Sequence, residues 1–156
     1  MILGLGELRA AKGDDIALVC LGLGSCVGFC AFDPISKVGG MAHIVLPASS
    51  EGSGPGPKFA DCAIPTLLEE MVKLGAAKSQ IVIKIVGGAQ MVSGEGKPRL
   101  LNIGDRNVEA TTVLLAELGL PLKASVTGGH HGRTARLFLE SGKLLVSAAG
   151  GASNEL

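Results

Sequence analysis

The spacing of apolar residues is the feature that most constrains the fold of this 156-residue chain. Two stretches, residues 61–75 and 105–119, repeat apolar residues at the i, i+3, i+4 spacing of an amphipathic helix. Most other apolar runs are short, aliphatic and separated by glycine-containing turns, which is typical of strands. Strands and helices do not alternate regularly, as they would in a doubly wound parallel sheet. The pattern therefore predicts an α+β fold, a layered sandwich of mixed β-sheets with flanking helices.

The ends of the two predicted helices carry recognisable signals. Asp61 and Asp105 are expected to cap the helix starts, and Gly75 and Gly119 to end the helices. Pro65 is compatible with the first helix if it falls in the first turn. The polar, glycine-rich stretches 51–58 and 90–104 are predicted to be loops.

Composition limits the class of protein. The length fits one domain over residues 1–156, and 14 basic residues balance 14 acidic ones, so no strong field favours nucleic acid or an anionic membrane. No segment approaches the roughly 18 apolar residues of a membrane span, and the N-terminus lacks a leader pattern. We expect a cytoplasmic protein, monomeric on its own, whose four cysteines are free thiols.

The stretch "CLGLGSCVGFC", from Cys20 to Cys30, is the most unusual part of the sequence. Its strand is followed by the turn signal "DPIS" and a second strand that contains His43. If Pro34 and Ile35 form a two-residue loop, Cys26 faces His43 directly, with the Cβ atoms about 5 Å apart. A register change of one residue would place them on opposite faces of the sheet.

A cysteine beside an imidazole can perform acyl-transfer chemistry through a thiolate–imidazolium pair. The bends at Gly24 and Ser25, immediately before Cys26, could point backbone N–H groups at an oxyanion. From the residues alone, however, burial in the core is the more common role of a free cysteine or of a single histidine in an apolar strand. Cys30 and Cys62 are expected to serve packing.

Two other kinds of site are less well supported by the sequence. The cysteines form no C-x-x-C pair, and His130 and His131 would point to opposite faces if they continued a strand, so no metal site is predicted. The glycine-rich stretches "GLGLG" and "GGHHG" lack the following Lys-Ser/Thr of a phosphate-binding loop.

Several sequence blocks in fixed order resemble the CheD family. They are "LGLGSCV", "GGMAHIVLP", "KFADCAIPTLLEEMVKLGA", "IKIVGGAQM", "NIGDRNVEA", and "TGG" with "GR" and "SGKL", and together they cover nearly the whole chain. The resemblance implies a cysteine hydrolase with a layered α/β fold and no cofactor. Such enzymes convert selected glutamines in the cytoplasmic helical region of methyl-accepting chemoreceptors to glutamate, and they also hydrolyse receptor methyl esters.

The resemblance also implies roles for individual residues. The cysteine of "GSC" is the family's nucleophile and the histidine of "AH" is its base, which correspond to Cys26 and His43. The family's third catalytic residue is a threonine six positions before the nucleophile, and here that position is Cys20. A thiol accepts hydrogen bonds less well than a hydroxyl, so a backbone carbonyl or Ser25 is an alternative partner for the imidazole. CheD proteins also associate with a CheC-type phosphatase, so the alternative function is a catalytically weak binding module.

Overall fold

The fold is described from a computed structural model that covers residues 1–51, 54–91, 102–148 and 150–156. The predicted loops at 51–58 and 90–104 therefore lie partly outside the described residues. The α-helices are α1 (Ala60–Lys73) and α2 (Ile103–Glu117). The strands are β1 (Ile2–Leu3), β2 (Leu8–Lys12), β3 (Ala17–Leu23), β4 (Val27–Asp33), β5 (Val38–Ile44), β6 (Val82–Gly87), β7 (Leu122–Thr127), β8 (Arg133–Phe138), β9 (Leu144–Ala148) and β10 (Ser153–Glu155).

The strands form two mixed five-stranded sheets. The first sheet has the order β1-β3-β8-β9-β10, and the second has the order β2-β5-β4-β6-β7. In the first sheet only β1 and β3 pair in parallel, and in the second only β6 and β7 do so. The predicted α+β layered fold is confirmed.

The second sheet forms the middle layer, with the first sheet on one face and both helices on the other. All residues of β4 and β5 are buried, as is typical of strands that lie between two layers. Side chains alternate along β4: Val27, Phe29 and Ala31 pack in the cluster beneath the helices, whereas Cys30 and Phe32 pack between the sheets. His43 is two residues from Met41 on β5, so both side chains lie on the same face of the strand, and that of Met41 packs between the sheets. The face between the sheets therefore carries the chemically reactive residues.

The β4–β5 hairpin differs from the predicted one. Asp33 pairs with Val38, so the loop has four residues, not the two at Pro34 and Ile35. The Asp33 carboxylate accepts hydrogen bonds from the N–H groups of Ile35 (2.9 Å) and Ser36 (3.2 Å), and the Asp33 carbonyl accepts one from Lys37 (3.0 Å). These bonds close a longer turn than the Asp-Pro signal predicted. The predicted register is wrong by two residues.

The predicted C-terminal ends of the two helices are confirmed, whereas the predicted N-terminal caps are not. Gly75 and Gly119 follow the two helices with φ values of 104° and 67°. The predicted caps are wrong, because Asp61 and Asp105 lie inside the first turns and their carboxylates are engaged elsewhere. Asp61 accepts hydrogen bonds from Ser49, and Asp105 accepts them from Gln90 and Asn102. Pro65 also lies beyond the first turn of α1, which begins at Ala60. Within the described part of the chain, neither helix is long and apolar enough to cross a membrane.

Candidate active site

Residues 24–26, here called the Cys26 loop, cross from β3 in the first sheet to β4 in the second. Each carbonyl of this loop has a partner outside it. The Gly24 carbonyl accepts from the Ala89 N–H and the Cys26 carbonyl from the Gly88 N–H, both at 2.8 Å. The Ser25 carbonyl accepts from the side-chain amide of Asn107 on α2 at 2.9 Å. The conformation of the loop is therefore stabilised by the residues that follow β6 and by a side chain of α2.

The loop rests on Gly87, the last residue of β6. A Cβ atom on Gly87 would lie 2.2 Å from the Cys26 carbonyl oxygen, and the residue has φ of 112°. Both observations require glycine, since side chains rarely adopt this backbone conformation and nothing larger fits the space. The "VGG" sequence at the end of β6 thus allows this strand end to approach the Cys26 loop closely.

Cys26 and His43 are diagonal neighbours in the β4–β5 hairpin rather than directly opposed residues. Gly28 pairs with His43, and Val27 with Ile44, so continuation of the register places Cys26 opposite Val45. The shift of two residues preserves the alternation of side chains, and both residues remain on the face between the sheets. Diagonal pairs in such a ladder are about 7 Å apart between backbone positions. The predicted direct opposition is wrong, but the shared face is confirmed.

A single contact of the His43 ring, at Nδ1, favours one tautomer. Its Nδ1 lies 3.5 Å from the Leu3 carbonyl oxygen, and a carbonyl can only accept, so Nδ1 carries the proton. Nε2 is then the basic nitrogen. Nε2 is buried and has no hydrogen-bond partner among the described residues, although His43 is only 3% exposed. An unpaired buried acceptor is costly in a resting structure and is typical of a site that receives a proton during reaction.

Burial disfavours the charged form of both groups. Burial raises the pKa of the Cys26 thiol above 9.0, and the backbone N–H of Cys26 itself acts in the opposite direction. Burial also lowers the pKa of His43 below 6.5, partly offset by the hydrogen bond to Leu3. The expected thiolate–imidazolium pair is therefore not the favoured state of this conformation, because both shifts disfavour charge. In this conformation the thiol proton is therefore favoured on Cys26, and His43 is favoured in its neutral form.

The other three cysteines are placed differently. Cys20 on β3 is fully buried, pairs with Leu3 of β1, and has its pKa raised to about 12 by burial and then by the nearby Cys26. Cys30 pairs with Met41 and is buried in the core, as expected. Cys62 lies half-buried in the first turn of α1. Cys20 thus borders the site, but the hydrogen bond at His43 Nδ1 is made with the Leu3 carbonyl.

Two contributors to the site were not predicted by sequence reasoning. Leu3 acts through its backbone, so its side chain gave no signal. Asn107 has a weak signal: it lies with Gly104, Thr111 and Leu115 on the buried stripe of α2, where a polar residue is unusual. His130, one of the two adjacent histidines, is near the Gln90 carbonyl, with Nδ1 at 3.1 Å from the oxygen. It belongs to the loop between β7 and β8.

Comparison with known proteins gives consistent results. The family model described as "CheD chemotactic sensory transduction" matches residues 45–148. A probable chemoreceptor glutamine deamidase CheD of Desulfitobacterium hafniense is 49% identical over 144 residues, which are 92% of this chain and 89% of that protein. The chemoreceptor glutamine deamidase CheD of Thermotoga maritima is 44% identical, covering 96% of this chain and 92% of its own. A probable deamidase of the same name from Archaeoglobus fulgidus is 40% identical over 97% of this chain and 94% of its own.

Proposed function

The chain belongs to the CheD family, and we propose that it is a chemoreceptor glutamine deamidase, a cysteine-dependent protein-glutamine glutaminase. Cys26 is the nucleophile and His43 the general base and acid. The observation that carries this assignment is the unpaired Nε2 of His43, held in the basic tautomer on the same sheet face as the Cys26 thiol. The names of the full-length relatives support the reaction and the class of substrate.

The first half of the reaction forms a thioester. As the Cys26 sulfur attacks the side-chain carbonyl carbon of a glutamine, its proton passes to His43 Nε2 and a C–S bond forms. The carbonyl oxygen becomes an oxyanion, stabilised by backbone N–H groups of the Cys26 loop, which includes Gly24 and Ser25. The C–N bond then breaks, and the imidazolium returns the proton to the leaving ammonia.

The second half restores the enzyme. Water attacks the thioester while His43 takes its proton, and the C–S bond breaks. Cys26 regains a proton from the imidazolium, and the product is glutamate. The net change is one amide and one water converted to one acid and one ammonia. The same steps hydrolyse a methyl ester with methanol as the leaving group, and we propose this as a second activity.

Cys20 has a supporting role in this proposal. Its position behind the site corresponds to the family's threonine, and its buried thiol borders Leu3, whose carbonyl orients His43. We propose that the Leu3 carbonyl supplies the orientation and that Cys20 mainly fills space. Turnover therefore does not depend on a hydroxyl at position 20.

The cellular setting follows from family membership. We propose that the protein acts in the cytoplasm on the helical region of methyl-accepting chemoreceptors and that it is a monomer on its own. A CheC-type phosphatase is its proposed protein partner. These assignments rest on the similarity of nearly the whole chain to CheD proteins.

The test is mass spectrometry of a chemoreceptor cytoplasmic fragment incubated with the protein. We expect selected glutamines to gain about 1 Da, with ammonia released in equal amount. Cys26→Ala should abolish both signals and retain the fold, while Cys62→Ala, a change at another half-buried cysteine, should retain both. Deamidation at the wild-type rate by Cys26→Ala would refute the assignment.

A further inference from the structure

Asn107 connects the two halves of the candidate site. Its side chain is 0% exposed, and its Nδ2 donates to the Ser25 carbonyl and to the Val45 carbonyl, each at 2.9 Å. Ser25 immediately precedes Cys26, and Val45 lies two residues after His43. The β4–β5 ladder ends at the pair Val27–Ile44, so Asn107 joins the two strands where their own pairing stops.

The hydrogen bond to Ser25 fixes the direction of the next N–H. In a trans peptide unit, the C=O of one residue and the N–H of the next point in opposite directions. Because α2 packs on the helix-covered face of the second sheet, a Ser25 carbonyl turned towards Asn107 turns the Cys26 N–H away from α2. That direction leads to the face between the sheets, where the thiol and His43 lie. The lowering effect of this N–H on the pKa of its own thiol agrees with that direction.

Asparagine is suited to this position by its chemistry. Two carbonyls need two donated protons from one short side chain, and a terminal amide provides both. An aspartate carboxylate could only accept hydrogen bonds and would face two carbonyl oxygens, which also only accept. Leucine has a similar shape but no N–H group to donate. The Asn107 oxygen has no hydrogen-bond partner among the described residues, so the stabilising contacts of this buried amide are the two bonds that its nitrogen donates.

We propose that Asn107 is a positioning residue that aims the Cys26 N–H at the oxyanion of the substrate. This inference rests on the proposed deamidase function and deepens it. Asn107 does not touch the substrate. It holds the peptide unit between Ser25 and Cys26 in the orientation that makes the donor available, and it keeps the strand after His43 at a fixed distance from the Cys26 loop.

Two reactions of the same sulfur provide the test. Deamidation passes through an oxyanion, whereas alkylation by iodoacetamide is a displacement at carbon, in which a C–S bond forms, iodide leaves and the thiol proton goes to solvent. We expect Asn107→Leu to lower kcat for deamidation by roughly 10²-fold with little change in KM, as for the loss of an oxyanion donor. The alkylation rate of Cys26 at the same pH should stay within about threefold, because this reaction develops no oxyanion.

Controls separate positioning from folding. Deamidation rates are expressed per mole of Cys26 that can be alkylated, so that unfolded protein is not counted. If Asn107→Leu does not fold, Asn107→Ser replaces it. Serine is shorter and donates only one proton, so we again expect a fall in kcat with little change in the alkylation rate. Thr111→Val is the matched control, since Thr111 is equally buried one turn along α2 and its Oγ1 has no partner among the described residues. Its kcat should be unchanged. Wild-type kcat in the Asn107 variants, or a parallel loss of alkylation and deamidation, would overturn the inference. An inactive wild-type protein would overturn the proposed function itself.

Discussion

Substitution of Gly87 by alanine is the perturbation whose effect can be worked out most directly from the structure. The added Cβ would lie 2.2 Å from the Cys26 carbonyl oxygen, and real Cβ contacts are essentially never shorter than 3.0 Å. The neighbour is backbone, so no rotamer change can relieve the overlap. The Cys26 loop must move by at least about 0.8 Å, the difference between these two distances.

Two energetic effects result from this change. Alanine at φ of 112° stores backbone strain of about 1–3 kcal/mol. The displacement also stretches the hydrogen bond from Gly88 to Cys26, now 2.8 Å, and moves the thiol relative to His43. Because a misplacement near 1 Å costs about 10²-fold in rate, we expect kcat to fall by that order.

The assay compares kcat and the free energy of unfolding for Gly87→Ala and Gly119→Ala. Gly119 also has a positive φ, of 67°, but a Cβ there meets no atom within 4 Å. The control should therefore lose about 1–2 kcal/mol of stability and keep full activity. Wild-type kcat in a folded Gly87→Ala variant would refute the reasoning, because it would show that the Cys26 loop can move without consequence.

Three further predictions concern the groups around the reacting atoms. Cys20→Thr should retain or modestly increase turnover, because the Leu3 carbonyl already contacts the His43 ring. The variant should lose about 1–3 kcal/mol of stability if its buried hydroxyl stays unpaired. A large fall in kcat would instead reveal a role of the Cys20 thiol itself. Because burial raises the pKa of Cys26, its alkylation rate should climb about tenfold per pH unit from 7 to 9, and a plateau near pH 7 would instead indicate an ion pair with His43. Burial lowers the pKa of His43 in the folded state below the 6.5 of the unfolded chain, so its contribution to stability is present above pH 6.5 and is lost as the pH falls towards the folded pKa. Chemical denaturation should therefore show a smaller pH dependence of the unfolding free energy for His43→Gln than for wild type. Identical pH dependences would contradict the lowered pKa of His43.

The strands and helices could be predicted because their signals are local. Apolar runs and helical spacing depend on a few neighbouring residues, and the glycines after α1 and α2 end both helices as expected. The caps predicted at Asp61 and Asp105 are wrong, because these carboxylates accept hydrogen bonds from Ser49 and Gln90, which lie 12 and 15 residues away in the sequence. The short strands β1 and β10 were also missed, because two or three residues carry no periodicity.

The sequence predicts that Cys26 and His43 share one face of the sheet, but it does not predict the geometry of the pair. Side-chain alternation made the shared face of Cys26 and His43 insensitive to a register error of two residues. The turn length depended on how the Asp33 carboxylate binds the loop, and residue preferences do not determine that. The raised pKa of Cys26 and the lowered pKa of His43 both come chiefly from burial, which only the packed layers define. The bridge from Asn107 spans 82 residues to Ser25, beyond the reach of any local pattern.

The contact between His43 and Leu3 has a consequence for how such a site is discovered. A main-chain oxygen is present whatever amino acid occupies position 3, so the contact leaves no imprint on residue identity there. Alanine scanning would pass over it, and comparison of sequences would score the position only for its hydrophobicity. Part of the proposed catalytic apparatus thus depends on the path of a two-residue strand, and only changes that redirect the backbone would reveal it.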